Sequence, residues 1–450
     1  MAQSDLRYAG DYNFDKCEIL TTSGNRFDIT QLIESITIYE HIFDETISGS
    51  IALKDTTNMV ENGPIIGQEK LFLKISTPQS EPNEDTIIDY SKQPLDIYKI
   101  NLQYGTNEGA TLIGLDFTTQ EIHRNNISRV SQSYKGQPWE IVKKVLRDPN
   151  YLNSTTRFFY EETSNLIKLI APNIPPLDLI DHILARCNSK QHGQSPSYLF
   201  YETTKGFHMR SIDGLCSQEP AYYYKENVPN QLDDKGVINA ATNLQTINGF
   251  ELVPTTDIEA QLEDGMLSSR LISHDFYQKT VSGFIYDYID MYNNDTHLES
   301  NPLISSSIEK TKDAKLFVTN TSSGTIFNEG TNYPYESDSQ IKNLQRNTSR
   351  MTQLDFGVTL NMTVPGNTFL QAGDVIDCAI KGSSTLSTDS PQISKLAGRY
   401  LIKSLRHDFN VSSKALHTMR LQVVKDGLAS APPSSSTTMS GAGKSSDIAV

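Results

Sequence analysis

Nine histidines, four cysteines and 54 acidic side chains are the groups from which catalysis or metal binding could be built in this 450-residue chain. The histidines are His41, His123, His182, His192, His208, His274, His297, His407 and His417. None forms the His-x-x-x-His or His-Glu-x-x-His pair that sets two imidazoles on one helical face around zinc. His182 falls within a helical pattern, where partial burial is expected rather than metal ligation. Cys17, Cys187, Cys216 and Cys378 are scattered singly. Without a Cys-x-x-Cys pair they indicate neither a disulfide framework nor a zinc knuckle. They read as buried free thiols of a chain made in a reducing cytoplasm.

Other reactive patterns are equally thin. No Gly-x-Ser-x-Gly elbow presents a serine nucleophile. Asp287, Asp290, Asn293 and Asp295 loosely resemble a calcium loop, but its spacing and central glycine are missing. A solvated acidic face is the expectation there. Gly441-Ala442-Gly443-Lys444-Ser445 resembles the end of a phosphate-binding loop, yet Thr438 stands where the first glycine is required. A carboxylate pair for glycosidic cleavage is left open, because such residues converge in space and not along the chain. The residues therefore predict no cofactor, no metal and no catalytic role.

Charge and length narrow the classes further. Lys+Arg 39 against Asp+Glu 54 gives a formal charge of -15, which argues against a protein that grips nucleic acid by its phosphates. A length of 450 residues predicts two to four domains. The apolar share is 37%, against roughly 45–50% for globular domains, so thin, β-rich domains stabilised by partners are expected. No apolar run approaches the roughly 20 residues that span a bilayer. The opening MAQSDLR lacks the apolar core of a signal peptide.

The elements that would position any site follow from hydrophobic period. Residues 1–135 read as consecutive strands. Ile36 and Ile38 alternate with Thr37 and Tyr39; Leu71, Leu73 and Ile75 share one parity, as do Tyr98, Ile100, Leu102 and Tyr104, and again Ile113, Leu115 and Phe117. Turn residues at 23–25, 62–64 and 105–109 separate them, as in an antiparallel barrel or sandwich. Residues 136–245 change period. A helix opens at Gly136-Gln137-Pro138 with Trp139, Val142, Val145 and Leu146 on one face, so Trp139 is expected in packing. A second begins after Pro175-Pro176 with Leu177, Ile180, Leu184 and Cys187 in step. A hairpin over 197–212 turns at Thr204-Lys205-Gly206, giving a small α+β domain.

Strand patterns return over 246–428, including Gly249–Val253 and 283–292. The stretch 293–350 is an Asn/Ser/Thr-rich excursion, with one short helix suggested by Ile341, Leu344 and Met351. Phe356, Val358, Leu360 and Met362 alternate cleanly beyond it. Residues 429–450 are Ser, Thr, Ala, Pro and Gly with few large apolar groups, the composition of a flexible, disordered tail.

One block carries more specific information. Val364-Pro365-Gly366-Asn367-Thr368 precedes Leu370-Gln371-Ala372-Gly373-Asp374-Val375-Ile376, and Leu396-Ala397-Gly398-Arg399-Tyr400-Leu401-Ile402 leads to Leu405-Arg406-His407-Asp408-Phe409. This order resembles the last barrel of the baseplate hub proteins of contractile-tailed bacteriophages, a family shared with type VI secretion spike proteins. Phe27–Asp55 with Gly63-Pro64 is similar to the first barrel of such hubs. Pro172-Asn173-Ile174-Pro175-Pro176, Leu199-Phe200-Tyr201-Glu202 and Lys205-Gly206-Phe207 are similar to the middle domain.

In their own right, Gly373 and Asp374 suit a tight turn, Gly398 a bend before the strand carrying Tyr400 and Ile402, and His407 a satisfied core or surface position. These are barrel-scaffold roles. The resemblance implies a β-rich α+β fold with two tail-tube-like antiparallel β-barrel domains and a middle α+β domain, with room for a second barrel assembled from discontinuous pieces. It implies a non-enzymatic homotrimer whose six barrels form a ring. That ring would join the tail tube protein to a threefold central spike protein among other baseplate proteins, in a virion assembled in the host cytoplasm. DNA would pass without specific binding, past acidic residues lining the ring. A receptor-binding virion adhesin is the alternative, followed by a β-rich glycoside hydrolase.

Overall fold

The computed structural model describes residues 6–55, 65–78, 86–103, 111–193, 195–226, 240–253, 257–276, 279–304, 314–321, 338–380, 396–411 and 416–428. The expected tail at 429–450 with Gly441–Ser445, and the expected turns at 62–64 and 105–109, lie outside these described residues. The first block contains β1 (Asn13–Leu20), β2 (Ile33–His41), β3 (Ser48–Asp55), β4 (Lys70–Ser76), β5 (Leu95–Gln103) and β6 (Thr111–Thr118). Period-two patterning puts Ile36, Ile38, Leu71, Leu73, Ile75, Ile113, Leu115 and Phe117 into one core. The register departs from simple alternation in β5. A bulge between Ile97 and Lys99 turns Ile97 inward and leaves Tyr98 49% exposed, opposite to the parity expected from Tyr98, Ile100 and Leu102.

The middle section packs helices on a small hairpin. After α1 (Gln120–Ile127), α2 (Pro138–Arg147) starts on a capping box between Gln137 and Glu140 with Pro138 in its first turn. Trp139 is partly buried and stacks on Tyr160 at 4.5 Å. In α3 (Pro176–Leu184) Leu177, Ile180 and Ile183 are buried, while His182 is exposed and not partly buried as expected, because it lies off the apolar stripe. Strands β7 (Tyr198–Thr203) and β8 (Gly206–Ser211) form the anticipated hairpin, with Gly206 at φ +141°, and α4 (Ile212–Cys216) follows. All four cysteines are free and buried.

The last block supplies β9 (Tyr222–Glu226), β10 (Gly249–Val253), β11 (Ser268–Asp275), β12 (Thr280–Asp287) and β13 (Lys315–Thr321). Then come α5 (Asp338–Phe356), β14 (Val358–Pro365), β15 (Val375–Ala379), β16 (Gly398–Asn410) and β17 (Leu416–Lys425). The strand expected over 283–292 ends at Asp287. Its carboxylate accepts from the Ile289 and Asp290 amides at 3.0 and 3.1 Å and turns the chain into a helical turn. Asp295 is not solvated as expected of that acidic stretch: its side chain is buried, with the carboxylate 2.6 Å from Arg346.

The two strand-rich blocks are fused. β16 pairs with β15 through residues 398–401, then with β2 from Ser404 to Asn410, while its other edge pairs with β17 over 401–410 with a bulge at Lys403. One large mixed sheet results, running β9, β15, β16, β2, β3, β6, β5, β4, β1, with β17, β14 and β10 branching from β16. No closed barrel forms among the described residues; the blocks share a strand ladder instead of closing separately.

Helix α5 is 19 residues long, far more than the short helix suggested by Ile341, Leu344 and Met351. It buries a polar stripe. Gln345 Nε2 donates to the Ser269 carbonyl at 2.9 Å, Ser349 Oγ to the Met266 carbonyl at 2.8 Å, and Gln353 Nε2 to Tyr288 Oη at 2.6 Å. Arg350, 1% exposed, reaches Asp213 at 2.8 Å and Asp426 at 3.2 Å, and donates to the Thr296 carbonyl at 2.7 Å. Burial would lower its pKa, but Asp213, Asp426 and Asp295 hold it above its ordinary range. Burial alone would push the Asp426 carboxyl up; the hydrogen bond from His297 and the Arg350 charge keep it below. Arg350→Ala strands two buried carboxylates, so a loss of about 3–5 kcal/mol is expected by chemical denaturation. Truncating the exposed Asn126 of α1 to alanine should cost less than about 1 kcal/mol in the same measurement.

Candidate functional site

The point where β16 changes partners is tightly constrained. Ile402 sits between the stretch paired to β15 and the stretch paired to β2, so its edge-facing backbone groups need another partner. The Gly373-Asp374 turn supplies it. The Gly373 amide donates to the Ile402 carbonyl at 2.9 Å, and the Ile402 amide donates to the Asp374 carbonyl at 2.9 Å. One residue on, the Ile42 amide donates to the Lys403 carbonyl at 3.0 Å and starts the pairing with the first block.

Gly373 lies at φ +88°, and a Cβ there would stand 2.1 Å from Tyr201 Oη on β7. Both backbone conformation and space therefore require glycine. Gln218 Nε2 donates to the Gly373 carbonyl at 3.0 Å. The Asp374 carboxylate accepts from the Gln371 amide at 3.2 Å; burial raises its pKa despite the opposing Lys205 charge.

A second buried acid ties the same three regions. Glu40, on β2, accepts from the Thr204 amide at 2.7 Å and from the Ala372 amide at 2.8 Å. Burial raises its pKa, partly offset by those two amides. Ile42, Leu199, Tyr201, Leu354, Val375, Leu401 and Val424 pack around this joint, drawing on all three sections. A cleft of about 220 Å³ opens beside it, lined by Lys205, His208, Arg210 and Asp374 among others. His208 is sandwiched between Phe159 and Tyr201 at 4.8 and 5.1 Å, and burial pushes its pKa down to about 3.

The structure thus brings Gly373, Asp374 and Ile402 into direct contact. Tyr400, two residues upstream, is fully buried, with Oη donating to the Leu396 carbonyl at 2.6 Å. Gly398 lies at φ +125°, where a Cβ would meet Glu299 Oε1 at 2.2 Å. His407 is elsewhere. It is fully buried on β16, its Nδ1 3.0 Å from His417 Nε2, and the pair packs against Phe409 and Tyr12. Burial pushes His407 down to about 3 and His417 well below its ordinary value, so both imidazoles are neutral.

Sequence reasoning passed over Glu40 and Arg350. For Glu40 a signal exists: it follows Ile36 and Ile38 in the same inward parity. Arg350 gave none, because α5 packs through polar groups. Chemically, the joint holds one neutral imidazole, His208, and hydrogen-bonded carboxylates. Among the described residues no group of three His, Cys, Asp or Glu side chains is placed to hold a metal ion. What the arrangement does is tie the three sections together.

No protein-family model and no curated relative matches the sequence. Solved structures share the fold. The tail protein from Neisseria meningitidis MC58 aligns over 94% of this chain and 99% of its own, at 11% identity and a TM-score of 0.54. The 43 kDa tail protein of prophage MuSo2 from Shewanella oneidensis aligns over 91% of this chain and 98% of its own, at 10% identity and a TM-score of 0.52. Both neighbours are tail proteins, and at 11% and 10% identity the likeness is one of fold.

Substitutions at the joint and at the histidine pair have separate expected outcomes. Gly373→Ala should lower stability by roughly 2 kcal/mol or more, combining strain and overpacking, with part recovered when Tyr201→Phe removes the hydroxyl; thermal melts of the single and double variants check it. For the histidine pair, the unfolded imidazoles protonate near pH 6.5 while the native ones stay neutral. Stability they contribute is whole above about pH 6.5 and is lost as pH falls toward 3, at about 1.4 kcal/mol per pH unit per histidine. The raised carboxyls Glu40, Glu202 and Asp374 act with the opposite sign. The His407→Leu/His417→Leu variant should therefore lose stability less steeply below pH 6.5 than the native chain, measured by denaturant titrations across pH.

Proposed function

We propose that the chain is a structural hub of a contractile phage tail baseplate, a non-enzymatic homotrimer joining the tail tube to a threefold central spike. The observation that carries this reading is the end-to-end likeness to two tail proteins, which spans nearly the whole of each chain. Residues 1–135 and 246–428 are then the two tube-like domains, the latter with its excursion at about 293–350, and 136–245 is the α+β domain between them. Three copies present six such units in a ring, matching a sixfold tube to a threefold spike, with closed symmetry covering surface that a weakly apolar chain leaves exposed. No helix among the described residues is long and apolar enough to cross a membrane.

The wet face of the fused sheet supports a conduit role. Thr418, Asp408, Thr37, Ser50, Asp116 and Lys99 form one cross-strand row through both blocks. Its cations are matched to acids: Arg406 to Asp408 at 2.8 Å, Arg420 to Asp408 at 3.6 Å, Lys99 to Asp116 at 3.6 Å. Along this stretch three cations stand against two acids, each cation within 4.0 Å of a carboxylate. DNA phosphates sliding past would find few bare cations to displace counterions from.

Purified protein should have a solution mass of about three chains and appear as a ring by electron microscopy. A monomer that remains one when mixed with its cognate spike protein would reject the reading.

A further inference from the structure

A second pocket lies away from the joint, where α1 meets the first block and β7. It encloses about 240 Å³ and is lined by Tyr90, Thr119, Glu121, Arg124, Leu152 and Glu202 among others. Two acids in it are almost fully buried: Glu202 is 2% exposed and Glu121 is 6% exposed. Glu202 Oε2 accepts from Thr119 Oγ1 at 2.8 Å and from the Ile47 amide at 3.2 Å, which leaves Oε1 without a partner among the described residues. Glu121 has no ion pair within 4.0 Å and no side-chain hydrogen bond among them; the Arg147 charge acts on it from farther off, and Arg124 and Lys92 stand at the walls. Tyr90, 8% exposed, lines the same space, and its hydroxyl is buried without a hydrogen-bond partner among the described residues. Burial holds Tyr90 well above its ordinary pKa, with Glu202, Glu40 and Glu121 adding to the effect, so the hydroxyl faces these acids as a neutral phenol. Burial likewise pushes Glu202 up, and the Glu121 charge adds to it.

A buried carboxylate without a partner and a buried hydroxyl without one are each costly. When they converge on a cavity, the economical explanation is a ligand that satisfies them together. The chemistry that serves the acids is a compact cation with several donors; the Tyr90 hydroxyl accepts from it through oxygen and turns its own O–H toward a carboxyl oxygen. A guanidinium is planar and offers its donors in a fork; a primary ammonium offers three donors spread around one nitrogen. Three acceptors surround this space: the Glu121 carboxylate, Glu202 Oε1 and the Tyr90 hydroxyl oxygen. We infer that the Tyr90–Glu121–Glu202 pocket binds a primary ammonium group on a short alkyl stem. Leu152 and the methylenes of the wall residues pack against the stem, and the pocket volume leaves room for several heavy atoms at the roughly 30 Å³ each that water takes in the liquid. The group is carried either by a partner's lysine or by a free diamine.

The full-length chain is titrated with n-butylammonium chloride, with n-butanol and with sodium chloride at matched ionic strength, by calorimetry and thermal shift. Saturable binding of n-butylammonium, and not of the alcohol or the salt, is expected. Glu121→Gln should weaken it at least about tenfold, the ratio carried by a charged hydrogen bond, and Tyr90→Phe about two- to tenfold. If Glu121→Gln fails to fold, Tyr90→Phe still decides. Putrescine binding more than tenfold tighter than n-butylammonium would identify a free diamine as the source; equal or weaker binding would identify a lysine side chain. Equal effects of ammonium and alcohol, no binding at all, or binding unchanged in both variants would overturn the inference.

Discussion

The fold depends on the unmet hydrogen-bonding of one long strand. β16 is 13 residues long, and no single neighbour covers its outer edge. β15 satisfies the first part and β2 the second, so the strand cannot be completed unless the two blocks come together. The gap at Ile402 is closed by the Gly373-Asp374 turn, and the next residue is bonded to Ile42. Because every buried backbone group must be paired, the junction has a single register. A sheet built this way is continuous across blocks that would otherwise be separate layers.

Around that strand the joint is fastened by polar groups in a low-dielectric setting. Glu40 holds amides from the β7–β8 turn and from the segment before Gly373, while Arg350 holds Asp213 from the middle section and Asp426 from the C-terminal end. Apolar packing alone would tolerate small slips between sections. A buried carboxylate with two amide donors, or an arginine between two carboxylates, does not, since any slip leaves a charge unpaired. The joint consequently gains specificity of arrangement as much as stability, which suits the proposed role of joining a tube to a spike.

The same logic explains how a chain with a 37% apolar share stays folded. Its sections each keep a modest apolar core, and the surfaces between them combine a shared apolar cluster with buried hydrogen bonds and ion pairs. Helix α5 is the extreme case, docking through Gln345, Ser349, Arg350 and Gln353.

Much of the local structure was legible in the residues. Alternation located the strands carrying Ile36, Leu73, Leu115 and Leu360, and helical period with proline starts located α2 and α3, because burial of one face imposes its period on the chain. The glycine of Gly373-Asp374 was identifiable as a turn residue for reasons of backbone geometry alone. The order of the C-terminal motifs was enough to carry the resemblance to tail proteins. Where patterns misled, a non-periodic cause can be named: the bulge in β5 inverted the parity of Tyr98, and α5 buries a stripe of polar residues that no hydropathy signal marks. What only the tertiary structure decided is the meeting of distant groups, such as Glu40 with Ala372, His407 with His417, Tyr90 with Glu121 and Glu202, and the two blocks along β16. Local sequence sets which face of an element is buried; which partner covers it depends on backbone hydrogen bonds and charges that must be satisfied across hundreds of residues, and these are defined only once the chain has closed on itself.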